Sequence, residues 1–240
     1  MIPSGKMLLI LALVPLAGAV LAGGGAGKMR TRRYGGWFAA GAVCAATAAS
    51  LLPAMTGAKP AISLLLGLAL GGAIGVAIYA FTEFLWPRNL VNLRGSGREV
   101  RNGEKFVANT VLVVLLVAFC IGVVYSAKIA NSMAVMLSLA VELFWLAFSL
   151  GTPVIRLSAR TTMGLALAVI ALLGQMMAMV LAEGLTGTGL VVSLASGFGA
   201  VMYIAVHQLL DGLGKGGESR AMAASFLAGY GAALALIAVV

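Results

Sequence analysis

From Met7 to Val240 the chain reads as long apolar runs separated by short clusters of charge, proline and glycine. A hydrocarbon core about 30 Å thick needs about 20 apolar residues in helical form. Cutting the sequence at the clusters predicts eight helical spans, over 7–27, 35–56, 60–86, 106–129, 132–155, 161–185, 188–213 and 219–240. Within each run the apolar residues are contiguous, whereas strands of a membrane barrel alternate over about ten residues. The pattern therefore selects helices.

Composition removes the other home of all-apolar helices, the interior of a large soluble protein. The chain has 240 residues, 62% of them hydrophobic and 10% charged, with a mean hydropathy of +1.08. A soluble domain carries about 25% charged residues, so there is too little polar surface here to cover a globule. The reading is an all-α polytopic membrane protein, a single transmembrane domain over 1–240 with a basic loop at 87–105.

The net charge of +9 does not mark a nucleic-acid partner, because the basic residues stand in short runs between apolar segments and not along one helical face. They orient the chain, since cytoplasmic loops collect Lys and Arg. Lys28, Arg30, Arg32 and Arg33 follow span one; Arg88, Arg94, Arg98, Arg101 and Lys105 follow span three. Arg156 and Arg160 follow span five, and Lys215 and Arg220 follow span seven; the other side receives Lys6, Lys59 and Lys128. Both termini are thereby expected on the non-cytoplasmic face of a cell inner (plasma) membrane. The apolar run behind Lys6 looks like a signal peptide, with Ala17-Gly18-Ala19 as small residues for cleavage. A signal peptide has its charge in front; here the stronger charge lies behind, and a retained first span is expected.

Polar groups at mid-membrane are costly, so their positions carry information. Glu83 and Glu183 fall at span ends. His207 and Asp211, four apart near the end of span seven, share a helical face and are the weak candidates for a metal. Glu142 falls near the middle of span five, where a carboxylate costs about 2.5–3.5 kcal/mol on insertion scales. It is expected to face the bundle interior, with Gln175 of span six as its partner and Met176, Met177 and Met179 around them. Glu142 and Gln175 are thus the candidate substrate-binding residues. Cys44 and Cys120 lie inside apolar spans with no CxxC or Cys/His spacing, and read as packing residues. One histidine, no HExxH, no phosphate loop and no carboxylate cluster leave nothing to support an enzyme.

Spans two and seven echo each other: Gly41-Ala42-Val43 precedes Leu51-Leu52 by the distance that separates Gly199-Ala200-Val201 from Leu209-Leu210. The two spans cross in opposite directions, the geometry of an inverted repeat.

The layout resembles the ZIP family of zinc and iron permeases, with eight spans, both ends outside and a main cytoplasmic loop after span three. Phe38-Ala39-Ala40-Gly41 running to Leu51-Leu52-Pro53 is similar to the family's second span; Gly199 to Leu210 is similar to its seventh and Ala223 to Val240 to its last. The resemblance implies a 3+2+3 bundle with an inverted repeat and transport of a metal or another small solute. Zn or Fe would be the transported ion, with no resident cofactor. The departures fall at the family's metal centre. Where span four of the family carries a His-Asn-x-Pro-Glu-Gly-like motif, this chain has Val117-Ala118-Phe119-Cys120-Ile121-Gly122. In span five, which in the family reads His-Glu-x-Pro-x-x-Gly, Val141 replaces the histidine, Glu142 matches the acid and Trp145 takes a position that often ligates. One carboxylate and one amide fall short of the ligand set that replaces a divalent ion's water shell. A membrane scaffold or subunit that kept the bundle and lost the site is the other reading. The partners implied are the lipid bilayer and a homodimeric or larger membrane complex, with no nucleic acid.

Overall fold

The computed structural model describes residues 5–22, 29–55, 61–85, 97–127, 132–150, 156–185, 187–213 and 219–239. The elements in them are all helices: α1 Gly5–Ala12, α2 Val14–Leu21, α3 Met29–Met55, α4 Ala61–Leu85, α5 Gly97–Ala127, α6 Ser132–Leu150, α7 Leu157–Ala182, α8 Thr188–Leu213 and α9 Ser219–Val239. Among the described residues six helical stretches are long and apolar enough to cross a membrane: Ile62–Thr82, Val107–Ala127, Ser132–Leu150, Leu157–Ala182, Thr188–His207 and Arg220–Val239. The chain is an all-α integral membrane protein.

Two departures from the expected spans have local causes, at the first span and at α5. The first span is broken at Leu13, because Pro15 in the first turn of α2 has no N–H to give and its ring crowds the carbonyl four residues back. Leu13 still donates to the Leu9 and Ile10 carbonyls, and Leu16 and Ala17 donate back to Leu13. The second span forms as α3, and no residue from 34 to 49 is exposed. Helix α5 begins at Gly97, so the second half of the loop expected at 87–105 is helical. At 31 residues, about 46 Å long, α5 carries these polar turns beyond its apolar stretch.

The helices close into two adjoining rings. In one, α2, α6, α5 and α7 pack in that cyclic order; in the other, α3, α6, α5 and α8 do, with the α5–α6 pair common to both. Two long helix pairs brace this core, α3 with α9 and α4 with α8. In the second pair Gly67 meets Ala195, Gly71 meets Ser196 and Ala200, and Gly75 meets Tyr203. Both numbers rise together, so α4 and α8 run in the same direction. The same test makes α3 parallel to α9, since Trp37 meets Phe226, and Ala42 and Ala45 meet Ala233.

Small residues set how closely these backbones approach where lipid supplies no hydrophobic drive. A Cβ added to Gly41 would run into the carbonyl of Phe226, and one added to Gly229 into the carbonyl of Phe38. In the other pair a Cβ on Gly71 would run into the carbonyl of Ser196, and one on Gly199 would stand 3.0 Å from the carbonyl of Leu68. Each glycine thus faces a carbonyl three residues before the other glycine of its pair. Backbones this close suit weak Cα–H···O=C contacts, which are worth about 0.5–1 kcal/mol each where they form.

The two pairs keep a common register. Gly199 lies 158 residues after Gly41, Gly229 lies 158 after Gly71, and the faced carbonyls keep the same spacing. Ser225 donates to the Tyr34 carbonyl at 2.6 Å; 158 residues away in each case, a Cβ on Gly67 would meet the Val192 carbonyl at 2.9 Å. Trp37 on Phe226 corresponds to Ala195 beside Leu68, and Ala45 beside Ala233 corresponds to Tyr203 on Gly75. Contacts in α3–α9 are therefore repeated, without a gap, in α8–α4.

Candidate functional site

Helix α6 presents Glu142 to the ring formed with α3, α5 and α8. Leu139 and Leu143, on the flank of the same helix, are fully buried, and Trp145 lies on the backbone of Gly35 in α3. Between these two flanks Glu142 is 6% exposed. Helix α6 packs against α3, which carries Cys44. Cys44 in turn brings Sγ to 3.4 Å from Sδ of Met202 on α8. Cys44 and Met202 are 158 residues apart. Each is the counterpart of the other in the shared register, so their contact marks the place where the two halves cross.

Nearby hydroxyls are already committed to their own helices. Thr47 donates to the Val43 carbonyl at 2.8 Å and Ser138 to the Ala134 carbonyl at 2.9 Å. Cys120, on α5, is buried against α8, where a Cβ on Gly197 would stand 2.8 Å from its sulfur. The ring therefore has two thiols, a thioether and a carboxylate from its four helices. Trp145 packs; its rings stack on Phe148 at 4.8 Å and 22°.

Among the described residues Gln175 makes no hydrogen bond to Glu142. Helices α6 and α7 are not among the closely packed pairs, and Oε1 and Nε2 of Gln175 are buried with no hydrogen-bond partner among the described residues. The expected pairing rested on equal depth along the chain, and depth does not say which neighbour a helix face meets. Gln175 belongs to the other ring, on the α5 side of α7, where Gly122 lets α5 close onto the Gln175 backbone. Met176 and Met177, expected to surround the site, are on the outer face, 55% and 51% exposed. An amide left unsatisfied in this way costs about 1–3 kcal/mol.

His207 sits between two tyrosines, with ring centroids 4.1 Å from Tyr79 at 66° and 6.1 Å from Tyr203 at 6°. The side chain of Asp211, its proposed metal-binding companion, lies outside the described residues, as does that of Glu83. Among the described residues no group of three or more His, Cys, Asp or Glu could hold a metal ion. Glu183 is exposed just beyond the end of α7, as expected for a span end.

Sequence reasoning missed the Cys44–Met202 contact, although its signal was present. The echo between spans two and seven, extended by three residues from Gly41 and Gly199, reaches both sulfurs. No protein-family model matches the chain, and no curated protein matches it.

Proposed function

We propose that the chain is an eight-span, transporter-fold protein built as a 3+2+3 inverted repeat, as in the zinc and iron permeases it resembles, and that it carries a small solute past Glu142. The observation that carries this reading is the common register of α3–α4 and α8–α9, crossing at Cys44 and Met202 beside a buried carboxylate. Exchanging α2 with α7, α3 with α8, α4 with α9 and α5 with α6 turns the principal packed pairs into one another. The repeat is inverted because α3 runs with α9, while the five residues between α8 and α9, reaching at most about 18 Å, cannot recross a core about 30 Å thick. Substrate sites in such repeats lie near the bilayer midplane where the halves meet, which is the position of Glu142. Reconstitution into liposomes with a panel of divalent and monovalent cations tests transport directly; a chain inert to all of them favours the scaffold.

The orientation has its own test. In a background without native cysteines, a cysteine at position 97 is expected to resist impermeant thiol reagents in intact cells, and one at position 59 to react. The reverse pattern would invert the topology, and equal reactivity would break the eight-span count.

A non-transporting membrane scaffold is the second reading, favoured by the lack of a three-ligand metal group among the described residues. Both readings expect Zn²⁺ and Fe²⁺ to bind only weakly, with dissociation constants above tens of micromolar, because two carboxylates or imidazoles are not brought together at Glu142. Calorimetry that finds a tight stoichiometric site for either ion would contradict both.

A further inference from the structure

We infer that the crossing of α3 and α8 is a binding site for a soft monovalent metal ion such as Cu⁺ or Ag⁺, held by the Cys44 thiolate and the Met202 thioether, with Glu142 on the adjoining helix α6. The inference deepens the transport reading by naming its substrate class, and the site itself stands or falls independently of flux.

Donor chemistry selects the ion. Thiolate and thioether sulfur select Cu(I), zinc and iron–sulfur clusters, and of these zinc takes four ligands where two sulfurs converge here. The Sγ and Sδ atoms already converge at 3.4 Å from two separate helices, one from each half of the fold. A low-coordinate d¹⁰ ion needs little more than these two sulfurs, whereas a divalent ion would be left short of ligands. Methionine is unbranched, with three rotatable bonds, and Met202 is half-buried, so its thioether can part from Cys44 to admit an ion without moving α8.

Glu142 is the second observation. It is 6% exposed on α6, which packs against the helix that carries Cys44. Metal binding requires a thiolate: the Cys44 S–H bond breaks, the sulfur pair forms the bond to the ion, and the proton moves to a Glu142 carboxylate oxygen. The resulting thiolate, monovalent cation and neutral acid carry no net charge, which suits a site in the hydrocarbon core. No oxidation is involved.

The test uses Ag⁺, which undergoes no redox change. Full-length protein carrying Cys120→Ser, purified in detergent and chloride-free buffer, is titrated with Ag⁺ and desalted, and retained silver is measured by elemental analysis. One tightly held Ag⁺ per chain is expected, with sulfur neighbours in its X-ray absorption spectrum. Cys44→Ser should weaken binding by about 100-fold or more, beyond the 10–100-fold typical of losing an outer partner. Met202→Leu, which conserves volume and keeps the thiol, should weaken it by at least about tenfold with unchanged thermal stability. No stoichiometric silver, or wild-type affinity in a folded Met202→Leu or Cys44→Ser, overturns the site. Silver bound but never transported by proteoliposomes leaves the site standing and removes the transport reading; transport of another solute with no silver bound does the opposite.

Discussion

Gly71→Leu is expected to unseat α4 from α8 and to abolish a monodisperse, cooperatively melting protein in detergent. A Cβ there runs into the Ser196 carbonyl and stands 2.9 Å from both the Ala200 nitrogen and Gly199 Cα. The obstacle is backbone on a packed helix, which cannot swing aside as a side chain would. Overpacking against side chains already costs about 1–3 kcal/mol, and a clash with main chain should exceed it. Gly229→Leu is expected to match it on the α3–α9 pair, where the Phe38 carbonyl is the obstacle. The neighbours supply controls: a Cβ on Gly72 or Gly231 meets nothing within 4 Å. Leucine at those two positions should melt at or above the wild-type temperature, since replacing glycine within a helix gains up to about 1 kcal/mol in propensity. If Gly71→Leu and Gly72→Leu melt alike, the backbone contact is not what joins the helices.

Glu142→Gln is expected to keep the fold and stop solute flux. Glutamine preserves the shape of the acid and can both donate and accept hydrogen bonds, but it cannot take up or release a proton at neutral pH. Melting temperature in detergent should therefore stay close to wild type while uptake into proteoliposomes falls to background. Glu142→Leu removes polarity altogether. A purely structural hydrogen bond in a membrane is worth about 0.6 kcal/mol and at most about 1.7, and the described neighbours of Glu142 spend their hydroxyls elsewhere. The leucine variant should thus be folded, even stabilised, and equally inactive. Wild-type uptake in both variants would end the case for a site at this position.

An all-helical membrane chain was legible because lipid imposes a length: each apolar run had to be about one bilayer long, and α4, α8 and α9 begin and end within two residues of the expected spans. The first run misled because hydropathy does not register Pro15, which matters to backbone hydrogen bonding and not to partition. For α5 the charges after Gly97 read as loop, although helix continues readily into the aqueous phase once nucleated in lipid. The candidate site was legible residue by residue and not as a set. Glu142 stood out through its cost. Its neighbours did not, because a cysteine and a methionine in an apolar run look like any other packing residue until register places them opposite each other. Gln175 shows the converse: equal depth suggested contact with Glu142, but α5 lies between their two rings.

The glycine contacts also decide what can move. Where main chain touches main chain, no layer of side chains remains to shear or repack, so α3 with α9 and α4 with α8 each behave as a stiff double rod. Both rods are stitched from the two halves of the sequence, which rules out a motion in which one half tilts as a block against the other.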